Sequence, residues 1–161
     1  MPDTSWRDLL ERITGLLSPY CGDLHEILPA PLTGAVLVAC SIICGMIAGY
    51  ERRARHKPAG VRTLILISIG STIFTLASIL IAGDHMADRG RIAAQVVTGV
   101  GFLGAGAIIR DRGTVLGLTT GATIWAVAAI GVLVGAGYAV AGIILTLVVV
   151  GSLSLFRTPE D

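Results

Sequence analysis

Five uncharged apolar runs follow one another with short polar breaks between them, and they decide what this chain can fold into. Residues 31–50, 63–83, 92–109, 114–134 and 138–156 contain no Asp, Glu, Lys or Arg. A run of about 20 apolar residues is long enough to cross a bilayer as a helix. In hydrocarbon every backbone amide must be bonded within the protein, so helices are the form such runs take. Composition closes the soluble alternative: 53% of the 161 residues are hydrophobic and 14% are charged, with a mean hydropathy of +0.80. That is too little charge for the surface of a water-soluble domain of this size. Most of the 21 glycines sit inside the apolar runs, as they do in transmembrane helices. The expected fold is all-α, a polytopic membrane protein of five transmembrane helices.

Residues 1–30 form a separate interfacial segment. Trp6, Leu9, Leu10, Ile13, Leu16 and Leu17 recur at helical spacing with Arg7, Asp8, Glu11 and Arg12 on the other face, the pattern of an amphipathic helix lying on a membrane or packed on a surface. Charges this early, with no small-residue cleavage site after them, are not those of a secretory leader. The membrane domain is expected over 31–156 and a short tail over 157–161. Arg52, Arg53, Arg55, Lys57 and Arg62 in the first loop, Arg110 and Arg112 in the third, and Arg157 in the tail fall on one side. Arg7, Arg12, Arg89 and Arg91 fall on the other. The positive-inside rule then puts the first loop and the C-terminus in the cytoplasm and the N-terminus outside.

A net charge of +1 gives no sign of a nucleic-acid partner. Cys40 and Cys44 lie one helical turn apart inside an apolar run, Cys21 lies outside it, and His25, His56 and His85 are scattered singly. Buried thiols behave as small hydrophobes, and no ligand spacing for a metal is present, so neither a metal nor a cofactor is expected. No P-loop, nucleophile–base pair or dinucleotide fingerprint occurs. His85 with Asp88 is an acid–base pair on paper without a nucleophile, and an enzyme is not expected.

Three polar and glycine-rich segments remain. In the first, Gly45 and Gly49 make a GxxxG pair that admits a close helix neighbour, followed by Glu51, Arg52 and, later, Arg62. Glu51 is read as an interfacial ion pair or as part of a cytoplasm-facing site, and the basic cluster as a topology signal or a place for anionic lipid headgroups. In the second, Asp88 and Arg91 are three residues apart and can pair on one helix face, with Gln95 a turn deeper. A polar group at that depth is costly and marks either interhelix bonding or a ligand route. Gly99, Gly101, Gly104 and Gly106 then leave the third span with little bulk, as a central packed helix or a locally unwound one. In the third segment Gly113, Gly117 and Gly121 repeat every four residues, a stripe expected to pack helices or copies of the chain together. Thr119, Thr120 and Thr123 lie beside it, with Trp125 after.

Taken in order, Gly45-x-x-x-Gly49-x-Glu51-Arg52, Ala59-Gly60-x-Arg62-Thr63, Arg91-Ile92-Ala93-Ala94-Gln95 leading to Gly99-x-Gly101-Phe102-Leu103-Gly104-Ala105-Gly106, then Gly117-Leu118-Thr119-Thr120 and Trp125 resemble the membrane domain of the MgtC/SapB family, over roughly 33–156. The resemblance implies a bacterial inner-membrane protein linked to growth at low magnesium and to survival in macrophages. It also implies that some members restrain ATP synthase, a possible partner, rather than move ions. It places Glu51, Arg52, Arg62, Asp88, Arg91 and Gln95 among the family's polar signature positions without assigning them roles. Gly121 stands where many members have Ala. The virulence members carry a soluble domain after the fifth span, and only the short tail is expected here. Both departures weaken transfer of the virulence role.

Two function classes follow. One is a non-enzymatic modulator that binds other membrane proteins through small-residue faces. The other is a transporter or channel for an ion or small solute. A transporter calls for charged groups near the midplane and two related halves, whereas these spans are uncharged and five in number. A homodimer would restore symmetry. The family resemblance favours the modulator, with membrane lipids and a second copy of the chain as expected partners.

Overall fold

The computed structural model describes residues 30–82, 86–111 and 114–156. The amphipathic segment expected within 1–30, together with His85 and the tail after Phe156, lies outside the described residues. Within them are five α-helices and one short hairpin. The helices are α1 (Ala30–Ala54), α2 (Val61–Ala82), α3 (Met86–Gly106), α4 (Leu118–Gly135) and α5 (Ala139–Leu155), and the hairpin is β1 (Ile109–Asp111) with β2 (Thr114–Leu116). The chain is thus all-α in character and membrane-like. Three helices, α1, α2 and α4, are long and apolar enough to cross a bilayer, and 94–106 and α5 are shorter apolar helices. Large apolar side chains such as Leu66, Phe74, Leu80, Phe102 and Val148 are exposed around the outside. In water such a surface would aggregate, whereas in lipid it is the solvated face.

Helix α4 holds the bundle together, packing against each of the other four helices. Its inner face is small enough to let several neighbours close in, with Thr120, Gly121, Thr123, Ala128, Gly131 and Gly135 buried along it. The core falls into two clusters. Ala48, Leu64, Val96, Val100, Ile124 and Val127 pack at the end of the bundle nearest the α1–α2 loop. Leu37, Cys40, Cys44, Ile130, Val134 and Ala139 pack towards the opposite end.

The helix ends follow local rules. Lys57 N–H donates to the Arg52 carbonyl and His56 N–H to that of Arg53, with His56 at φ 56°. This is a Schellman ending, here with His in the left-handed position and Pro58 soon after to stop the helix. Helix α4 ends the same way, with Gly137 at φ 105° and Tyr138 N–H bonded to the Leu133 carbonyl.

Two sequence expectations are corrected. The fourth span does not begin at residue 114: Thr114 to Leu116 pair antiparallel with Ile109 to Asp111, and the helix starts at Leu118 after Gly117 at φ 85°. A residue held in the left-handed region interrupts a right-handed helix. The four-residue glycine repeat is therefore not a helical stripe, since Gly117 is a turn residue ahead of the helix that contains Gly121. The third helix, for its part, is neither central nor unwound. It runs unbroken from Met86 to Gly106 and its main contacts are with α2 and α4.

Candidate functional site

Three of the polar signature residues, Glu51, Arg52 and Arg62, lie at the end of the bundle where α1 stops and α2 begins. Helix α1 continues past the apolar run to Ala54, so Glu51 and Arg52 are helical and project to different sides. Arg52 turns inward. It is 1% exposed, and its Nη2 donates to Thr120 Oγ1 at 3.2 Å across the α1–α4 contact. A guanidinium at this depth stays charged, so its seat depends on such charge-assisted bonds. Glu51 pairs with Arg55 one turn on, and among the described residues its second carboxylate oxygen is buried without a hydrogen-bond partner.

Gly45 and Gly49 bring α2 close enough for this arrangement. A Cβ at Gly45 would stand 2.7 Å from the Ile65 Cα, and one at Gly49 would stand 2.5 Å from the Val61 Cα. The backbones of α1 and α2 therefore meet directly, and the α1–α2 contact is the most extensive in the bundle.

The remaining expected positions divide by location. Gly104 and Gly121 meet each other at the α3–α4 crossing, where a Cβ at Gly121 would lie 2.9 Å from the Gly104 carbonyl oxygen. Gly121 is thus buried by α3 inside this chain, not on a surface open to a second copy. Among the described residues Gly99, Gly101 and Gly106 have nothing within 4 Å of a Cβ position, and Trp125 is half-exposed. Thr119 contributes its carbonyl, which accepts from Thr123 Oγ1 at 2.7 Å. Asp88 and Arg91 lie in the first two turns of α3, and Arg91 is exposed.

Arg62 and Gln95 share a cavity of about 720 Å³ between α2 and α3, floored by Ile124 of α4. Its walls are mostly apolar, Leu66, Phe74 and Leu103 among them, and Gly70 and Gly99 face it without side chains. The structure thus joins Arg52 with Thr120 and Arg62 with Gln95, in separate places.

One feature escaped the sequence reading. Ser68, Ser71, Thr72, Thr75 and Ser78 are all buried on one face of α2. Thr72 Oγ1 donates to the Gly131 carbonyl at 2.9 Å, and Thr75 Oγ1 turns back to the Ser71 carbonyl at 2.8 Å. Gly131 and Gly135 admit this row: a Cβ at either would come within 2.8 Å of Ser71 or Thr75 Cβ. The three- and four-residue spacing of hydroxyls was the available signal. Among the described residues no group of three or more His, Cys, Asp or Glu is placed to hold a metal.

The MgtC family model matches residues 38–161. "Protein MgtC" of Brucella abortus (strain 2308) is 41% identical over 129 residues, 80% of this chain and 53% of the relative. "Putative magnesium transporter YhiD" of Escherichia coli (strain K12) is 47% identical over 122 residues, 70% of this chain and 56% of the relative. "Protein MgtC" of Salmonella typhimurium (strain 14028s / SGSC 2262) is 41% identical over 117 residues, 73% of this chain and 49% of the relative. The chain spans about half the length of the curated relatives it matches. No solved structure matches it significantly. By the family match over most of its length and by these identities, the chain is a membrane protein belonging to the MgtC family.

Proposed function

We propose that this chain is a non-enzymatic protein of the bacterial inner membrane that modulates another membrane protein by helix-on-helix docking, in the setting of magnesium limitation. The observation that carries the reading is the outward face of α3. Ala94, Thr98, Gly101 and Ala105 recur at spacings of four, three and four, and all are exposed. Thr98 Oγ1 folds back to the Ala94 carbonyl at 3.3 Å, which keeps that face shallow. Lipid gains nothing from a shallow face, whereas a second helix gains close backbone approach. The partner helix belongs to another membrane protein, ATP synthase being one candidate, or to a second copy of the chain. The arginine distribution supports a cytoplasmic α1–α2 loop and C-terminus, and the name of the Escherichia coli relative supports the link to magnesium.

A second reading, an ion or small-solute transporter, draws on the name of the Escherichia coli relative and on the cavity that Gln95 lines. Flux of magnesium, potassium and protons into proteoliposomes separates the two. The modulator reading expects no flux with folded, inserted protein. Flux that Gln95→Leu and Asp88→Asn both abolish establishes the transporter instead. In cells, a photo-cross-linker at Thr98 or Gly101 is expected to capture a discrete protein, and Gly101→Leu to abolish the capture. Capture unchanged by Gly101→Leu would remove α3 as the docking face. Labelling of a cysteine at Arg53 from the outside, in a Cys21→Ser background, would overturn the orientation.

A further inference from the structure

The α2–α3 cavity has a shape and a polarity that the docking reading leaves unused. It lies between two helices whose neighbouring exposed side chains are apolar. Gly70 and Gly99 both line it without side chains, and among the described residues neither has a neighbour within 4 Å of its Cβ position. Leu66, Phe74 and Leu103, exposed along its edges, give it apolar walls. Arg62, in the first turn of α2, stands at one end of it. Exposed Arg53, at the end of α1, lies in the same polar segment.

The dimensions match one kind of molecule. From Arg62 to Phe74 is twelve helical residues, about 18 Å along the axis at 1.5 Å each. One leaflet of a bilayer core is about 15 Å deep, half of the whole. The volume falls within the range of roughly 300–1,000 Å³ usual for ligand clefts. A groove one leaflet deep, mostly apolar with Gln95 and Ser71 among its lining and Arg62 at its start, complements an amphiphile with an anionic head and a hydrocarbon tail.

We infer that the α2–α3 groove is a binding site for an anionic phospholipid, its phosphate on Arg62 and one acyl chain lying along Leu66, Gly70 and Phe74 against Gly99 and Leu103. The lipid comes from the leaflet that borders the α1–α2 loop. This site lies on a different face of α3 from Ala94, Thr98, Gly101 and Ala105, so it stands or falls separately from the docking reading. The basic end selects for net negative charge, since a Lys or Arg near an anionic surface contributes about 1 kcal/mol. The glycines select for a slender tail.

The test uses the full chain, delipidated in detergent and titrated with phosphatidylglycerol or phosphatidylethanolamine of identical acyl chains, with bound lipid read by native mass spectrometry. Phosphatidylglycerol is expected to be retained about fivefold better than phosphatidylethanolamine, the fold-change that about 1 kcal/mol makes. Arg62→Gln is expected to erase that preference and Arg62→Lys to keep most of it. Gly99→Leu, which fills open space and leaves the thermal unfolding midpoint in place, is expected to cut retention of both lipids at least tenfold. Ala94→Leu, on the other face, leaves retention unchanged. Equal retention of the two lipids, or retention indifferent to Gly99→Leu in folded protein, overturns the site. A change in oligomer mass on Gly99→Leu without loss of lipid also overturns it, and assigns the groove to a second copy.

Discussion

Replacing single glycines by alanine tests the bundle most sharply, because the structure predicts opposite signs for the same chemical change. At Gly49 the added Cβ would lie 2.5 Å from the Val61 Cα and 3.0 Å from the Val61 nitrogen. Carbon atoms in contact prefer about 3.5–4.0 Å, so the shortfall is about 1 Å. Both obstructing atoms are backbone, so no side chain can rotate away and α1 must move off α2. Overpacking of this kind costs about 1–3 kcal/mol. The displacement also acts on Arg52, three residues on, whose bond to Thr120 is already 3.2 Å long. A further ångström takes it beyond hydrogen-bonding distance. At Gly101, by contrast, nothing lies within 4 Å of the Cβ position. Alanine there gains helix propensity of about 0.5–1 kcal/mol. Reversible unfolding in mixed micelles, at matched detergent composition, reads both. Gly49→Ala is expected to lose about 1–3 kcal/mol, and Gly101→Ala to be unchanged or slightly more stable. Equal effects of the two substitutions, or wild-type stability for Gly49→Ala, would refute the backbone-contact argument.

Two further outcomes follow from particular bonds and angles. A double-mutant cycle of Arg52→Met with Thr120→Val keeps the side-chain bulk of both positions, and it is expected to show a coupling of about 1.5–3 kcal/mol, the range for hydrogen bonds to charged groups. Additive effects in the same unfolding assay would mean that the Arg52–Thr120 bond does not stabilise the fold. Gly117→Ala places a Cβ on a residue at φ 85° and against the Ala107 carbonyl oxygen. The left-handed conformation alone costs about 1–2 kcal/mol for an L-residue. Increased protease cleavage between β2 and α4 is expected, and cleavage at the wild-type rate would show that the turn tolerates a side chain.

The sequence by itself determined the solvent and the number of helices. Uncharged runs near bilayer length leave the backbone no partner but itself, so the five helices of the described residues were legible without any tertiary contact. So was the GxxxG contact of Gly45 and Gly49, because small residues one turn apart have few other uses in lipid. What the sequence left open was direction around each helix axis. Gly99 and Gly104 read alike in the sequence, yet one faces open space and the other the Gly121 backbone. Glu51 and Arg52 are adjacent, and only the packing of α1 on α4 sends the arginine inward to Thr120. The hairpin ahead of α4 was hidden for a related reason. Thr114, Val115 and Leu116 are apolar enough to extend a span, and it is their pairing with Ile109, Arg110 and Asp111 that makes them strand. In lipid, hydrophobicity no longer distinguishes inside from outside, since the tails are as apolar as leucine. Which residues face protein is settled by side-chain size and by hydroxyls that need partners, as along Ser68, Ser71, Thr72 and Thr75 of α2, and those preferences take effect only when the helices meet.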